Sequence, residues 1–123
     1  MKISYRRKKI EIPVKNVPFF SAGLILRTRN TQNLFFKKIF PKNSSLTSYF
    51  VFFPFLILWL NKKNKVVDIR IAKPFERKIS TRKKFSHIIE LPFNNKNKKI
   101  IRLFVGKKKI KFSSFPPAVG KKI

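Results

Sequence analysis

The most apolar stretch of the chain, YFVFFPFLILWL at residues 49–60, runs directly into NKKN and then into KVVDIRIA. As a helix it would reach only about 18 Å, short of the roughly 30 Å hydrocarbon layer of a membrane. Pro54 would also break its hydrogen-bond ladder. As one straight strand it would span about 40 Å, more than the width of so small a domain. The pattern therefore predicts two extended segments punctuated by Pro54, one over residues 48–53 and one over Phe55–Leu60. The second is apolar at every position, as a strand covered on both faces must be. NKKN at 61–64 reads as a tight turn, and KVVDIRIA alternates, with Val67, Ile69 and Ile71 against Asp68 and Arg70. Strand, turn and half-buried strand make a hairpin.

The remaining pattern is also mostly of period two. KKIEIPVK at 8–15 sets Ile10, Ile12 and Val14 against Lys9, Glu11 and Lys15, with Pro13 marking an edge or bulge. NLFFKKIF at 33–40 reads as a strand. In FSHIIELP at 85–92, Phe85, His87, Ile89 and Leu91 share one face and Ser86, Ile88 and Glu90 the other. NNKNK at 94–98 is a turn. IIRLFV at 100–105 continues as extended chain to Gly106, and KKKIKF at 107–112 closes the set with Ile110 and Phe112 inward. SAGLILRTRNTQ at 21–32 supplies the one short helix, capped by Ser21, and residues 73–84 are a polar connection. Short strands with a single weak helix predict a mainly β fold, a compact antiparallel β-barrel or sandwich. Residues 1–112 form one domain, and residues 113–123 a flexible basic C-terminal tail.

Charge changes the picture. Thirty-one Lys and Arg face four acids, Glu11, Asp68, Glu76 and Glu90, for a net charge of +27. An A/T-rich gene would account for abundant Lys, Asn, Ile and Phe, but it encodes Asp and Glu about as easily as Lys. The scarcity of acids has another cause. Like charge at this density repels itself in the compact state, and a polyanion relieves the repulsion. RNA or a ribonucleoprotein is the first candidate partner and an anionic membrane surface the second. Zero cysteines exclude disulfides and zinc–thiolate sites and fit a reducing compartment. The basic N-terminus is not followed by a 7–15-residue apolar segment, so no secretory signal is expected and the cytoplasm is the expected location.

Several fragments, in order, resemble one family. GLILR (23–27), FVFFPFLILWLNKKNKVVDI (50–69), KPF (73–75), HIIELP (87–92) and VGKKKIKF (105–112) are similar to the pattern of the small archaeal and bacterial proteins called domain of unknown function 192. That pattern has a GLM-type segment, an FPID-type strand ending in LD, a VV-containing strand, a KPW corner, an ELP-containing strand and a VGD turn. The resemblance spans roughly residues 12–112. It implies a compact, mainly antiparallel β fold with one short helix, and it implies no activity. The chain departs from the pattern at its polar positions, with Thr47 for a histidine, and Leu56, Asn61 and Lys107 for three aspartates. Asn94 stands where glycine is usual, whereas Pro54 and Glu90 are kept.

Candidate chemistry is thin. One histidine and four scattered acids do not make a metal site, and no cofactor-binding motif is present. His87 has no nucleophile elbow to serve, and Glu90 has no second carboxylate placed beside it by the sequence. A non-enzymatic protein is expected. The basic clusters are better supported as phosphate contacts: Arg6, Arg7, Lys8 and Lys9; Arg77, Arg82, Lys83 and Lys84; and Lys107, Lys108 and Lys109. Interleaved Phe75, Phe85 and Phe93 are candidates for stacking on bases, though core packing is the commoner role for such rings. Two other readings compete: a ligand pocket ringed by Glu90, His87 and Asp68, and a peripheral protein on an anionic membrane.

Overall fold

The computed structural model describes residues 1–17, 27–28, 30–36, 51–76 and 78–106. Among them the chain is mainly β. Its elements are β1 (Lys2–Tyr5), β2 (Lys8–Glu11), β3 (Lys15–Val17), β4 (Leu34–Phe36), β5 (Phe55–Leu60), β6 (Val66–Ala72), β7 (His87–Pro92) and the helix α1 (Lys98–Val105). β1 and β2 form a hairpin of their own. The other strands build a five-stranded sheet in the order β3-β4-β7-β5-β6. Among the described residues this sheet is open, with β3 and β6 at its edges, and does not close into a barrel. One strand pair, β3 with β4, is parallel, and the other strand pairs among the described residues are antiparallel.

The apolar run explains the architecture. β5 is hydrogen-bonded on both sides, to β6 and to β7, and every one of its side chains is buried. Leu56, Leu58 and Leu60 point to one face, where Ile3, Ile10 and Ile12 from the hairpin and Ile101 and Phe104 from α1 cover them. Phe55, Ile57 and Trp59 point to the other, under Val51, Phe53 and Ile79. Burying each such side chain contributes about 1.5–3 kcal/mol, so a strand flanked by two layers anchors the whole domain. Residues 51–53 keep the inward–outward alternation, with Val51 and Phe53 buried and Phe52 exposed. They pair with no strand among the described residues, so the strand predicted over 48–53 is not one in its described part.

Other expectations are corrected. Residues 100–105 are helical, not extended. Ile100, Ile101, Phe104 and Val105 recur at helical spacing, Asn97 stands at the N-cap, and Gly106 ends the helix at φ 76 with its N–H donating to the Arg102 carbonyl at 2.9 Å. Residues 27, 28 and 30–32 are not helical. The rest of the helix predicted over 21–32 lies outside the described residues, as do 37–40 of the strand predicted over 33–40, all of 107–112, and the tail. Segment 8–15 is two strands, interrupted around Pro13, and β1, unforeseen, pairs with the first of them. Val67 packs on the opposite face from Ile69 and Ile71. The β5–β6 register slips between Trp59 and Leu60, and this bulge turns Val67 over. Phe85 likewise packs with the Trp59 layer, away from Ile89, because β7 begins only at His87.

Candidate nucleic-acid interface

Among the described residues two turns and one connection carry much of the exposed charge, while Lys2, Lys15, Arg70, Lys96 and Lys99 are exposed elsewhere. In the β1–β2 hairpin Tyr5 pairs with Lys8, which leaves Arg6 and Arg7 as a two-residue turn. Both take left-handed backbone, φ 49 and φ 67. A two-residue hairpin turn of the type I′ class needs positive φ at both central positions, which Asn-Gly fills cheaply. A side chain with Cβ costs about 1–2 kcal/mol in that region. The guanidinium of Arg6 lies 5.2 Å from the centre of the Tyr5 ring, and that ring rests on Phe104 of α1, centroids 4.9 Å apart. The Tyr5 hydroxyl donates to the Phe104 carbonyl at 3.4 Å, near the C-terminal end of the helix where carbonyls lack helical partners.

The hairpin is tied to the next turn. Ser4 donates its N–H to the Asn64 carbonyl at 3.0 Å and bridges to Lys65, so Arg6 and Arg7 project within a few residues of the β5–β6 turn and its exposed Lys62, Lys63 and Lys65. On the far side of β5, the Ser86 N–H donates to the Leu60 carbonyl at 2.7 Å, which brings Arg82, Lys83 and Lys84 to the same turn. Here the connection is held in shape. Ile79 is buried in the core, the Thr81 hydroxyl donates to Asp68, and the Lys83 N–H donates back to the Thr81 oxygen at 3.1 Å. The second half of the segment predicted as a polar connection is a pinned loop that presents Arg82, Lys83 and Lys84.

Two predicted clusters thus flank the β5–β6 turn from opposite faces of the sheet, Arg6, Arg7, Lys8 and Lys9 on the hairpin that packs on the Leu60 side and Arg82, Lys83 and Lys84 on the loop that packs on the Trp59 side. All seven side chains are exposed, and none is in an ion pair among the described residues. The acids are engaged elsewhere. Glu11 takes the Met1 ammonium, Glu76 takes the Arg70 guanidinium and the Lys73 N–H at 2.8 Å each, and Asp68 takes the Ile69 N–H as well as Thr81. Glu90 is buried in the sheet opposite Ile57 and Leu34. Arg77 and Lys107, Lys108 and Lys109 lie outside the described residues.

Of the aromatic candidates, Phe93 is core and Phe85 half-buried, but Phe75 is 54% exposed. It stands edge-to-face with Phe52, 61% exposed, at 5.5 Å between centroids. Phe52 was invisible to sequence reasoning because its neighbours in the apolar run are buried. Only its place in the alternation, opposite Val51 and Phe53, could have signalled it.

Glu90, His87 and Asp68 do not share a cavity. Asp68 and Glu90 belong to the Trp59 side of the sheet, while His87 faces the other side, its ring 5.4 Å from Phe35. A cavity of about 210 Å³ lies away from all three, between Val14, Thr31, Lys96 and the amides of Asn33, Asn94 and Asn97. Its floor is a bonded amide chain: the Asn97 amide donates to the Asn33 oxygen and the Pro92 carbonyl, both at 2.7 Å, and Asn33 donates to the Pro13 carbonyl at 2.9 Å. Among the described residues no three His, Cys, Asp or Glu side chains group to hold a metal ion, and no helix is long and apolar enough to cross a membrane. No family model, no curated protein and no solved structure matches the chain.

Proposed function

We propose that this is a non-enzymatic cytoplasmic protein that associates non-specifically through charge with a polyanion, RNA free or within a ribonucleoprotein. The observation that carries the reading is the set of exposed cations on both sides of the β5–β6 turn, in no ion pair among the described residues, on a chain with a net charge of +27. Lys and Arg held at strand ends contact phosphates without reading sequence, so the association is non-specific. Arg6 and Arg7 at the hairpin tip and Arg82, Lys83 and Lys84 on the pinned loop are the proposed phosphate contacts, with Lys8, Lys9 and, outside the described residues, Arg77, Lys107, Lys108 and Lys109 adding to them. The likeness to domain of unknown function 192 remains a proposal of kinship and contributes no activity to this reading.

The test is the salt dependence of affinity for an unstructured single-stranded RNA. Displacing several counterions gives a steep fall in log affinity against log salt. Replacing Arg6, Arg7, Arg82, Lys83 and Lys84 by Gln is expected to flatten the slope by up to about 3.5, roughly 0.7 for each lost contact. A shallow slope in the unaltered protein removes the proposal.

A further inference from the structure

The exposed pair Phe52 and Phe75 lies at the opposite end of the sheet from the cation cluster. Phe75 follows β6 by three residues and Phe52 precedes β5 by three, and the strand ends they flank, Ala72 and Phe55, are paired. The cations sit where β5 ends and β6 begins. The length of β6 therefore separates ring pair from charge by about 20 Å. The backbone singles out the same place. Pro74 and Phe75 are the centre of a turn, and Phe75 has φ 65, a position that glycine fills without strain. A bulky ring is thus held outward on a conformation that disfavours it. The turn is fixed by Glu76, whose carboxylate accepts from the Lys73 N–H and from Arg70. Exposed Lys73 and Lys78 flank the rings.

We infer that Phe52 and Phe75 form a stacking platform for unpaired bases, and that one single strand runs from the phosphate-binding cluster at one end of the sheet to this platform at the other. The inference rests on the polyanion reading of the cation cluster and adds to it a preference for single strands. Ring faces stack on any base, so the preference is for unpaired structure and not for sequence. Charge picks the occupant. Aromatic rings flanked by lysines, with the one nearby carboxylate already engaged, suit a nucleobase joined to a phosphate. A flexible strand can also reach both ends of the sheet, whereas two phenyl rings offer a bilayer little apolar area.

The experiment compares binding of the full chain to three probes of equal length: an unstructured RNA of about twelve nucleotides, the same backbone with abasic positions, and a blunt RNA duplex. It uses the unaltered protein, Phe75→Gly, Phe52→Ala and Phe75→Tyr. Glycine suits the backbone at position 75, so Phe75→Gly is expected to fold at least as stably as the original. Its affinity for the base-bearing single strand should fall about 5- to 150-fold, with an unchanged salt slope and no change on the abasic strand or duplex. Phe52→Ala should lose affinity on the same probe only, and Phe75→Tyr should retain it. A Phe75→Gly protein that binds all three probes as before overturns the inference while leaving the charge-based reading intact. A flat salt response in the unaltered protein removes both. Flotation with anionic vesicles that depends on Phe75, with RNA affinity indifferent to it, assigns the rings to a membrane surface and overturns the inference too.

Discussion

Two hairpin turns lie side by side in this protein and are built in opposite ways. The β5–β6 turn spends its polar residues on its own backbone. The Asn61 side-chain oxygen accepts the N–H groups of Lys63 and Lys65 at 2.9 Å each, the Asn61 N–H donates to the Lys65 carbonyl, and the left-handed position is given to Asn64, φ 62. Asparagine tolerates that conformation better than most residues. The β1–β2 turn has two consecutive left-handed positions and fills both with arginine, whose side chains make no hydrogen bond back to the turn. The contact between Arg6 and the Tyr5 ring offsets only about 0.5–1 kcal/mol of that strain at an exposed site. The first turn can be explained by folding alone. The second cannot, and the property its residues do supply is charge at the tip of a hairpin.

Exchanging chemistry between the turns gives the largest expected effect. Arg6→Asn with Arg7→Gly places the favoured type I′ pair where the backbone already has its shape, so unfolding free energy should rise by about 1–3 kcal/mol. RNA affinity should fall in the same protein, because two proposed phosphate contacts are gone. Denaturant unfolding and salt titration of binding, measured side by side, read both. A double variant no more stable than the original would mean that the tip is not strained, and the contrast between the turns would collapse.

The reverse change is expected to be smaller. Asn61→Ala removes the acceptor that organises the β5–β6 turn and should cost about 1 kcal/mol, with the RNA salt slope unaltered because no cation is lost. A flatter slope in this variant would show that the turn positions Lys62, Lys63 and the neighbouring cations more closely than their exposure suggests.

How much of this was legible beforehand follows from which forces act locally. β5, its turn, β6 and β7 were readable because burial on one or both faces writes itself into the alternation of Leu, Ile and Val. Residues 100–105 were misread because IIRLFV holds apolar residues at both helical and extended spacings. What decides is Gly106 at its end and docking of Ile101 and Phe104 on the core, and docking is not local. Val67 was assigned to the wrong face because a single-residue bulge leaves no mark in the pattern. The basic runs are visible in the sequence one by one, but that residues 6–9 and 82–84 flank one turn from opposite faces of the sheet follows only from long-range pairing. The strained positions left no trace, as neither Arg6, Arg7 nor Phe75 is the residue that positive φ usually selects.

The open end of the β1–β2 hairpin supplies the last and smallest effect, and it is the counterpart of the strained tip. There the Met1 ammonium donates to the Glu11 carboxylate, and this hydrogen bond, opposed by desolvation and helped by the attraction of the ammonium and of Lys2, holds the Glu11 carboxyl below the usual glutamate range. A carboxyl whose pKa is lowered by folding adds stability that is present above its unfolded value of about 4.3 and is lost as pH falls through the folded one. Glu11→Gln should therefore match the original protein in strongly acid solution and fall slightly behind as pH rises through the carboxylate range. Added salt should close the gap, because Glu11 is exposed and the pair is screened. Thermal midpoints of both proteins from acid to neutral pH, at low and high salt, measure it. A gap that persists unchanged in strong acid would show that Glu11 supports the hairpin through contacts other than its charge.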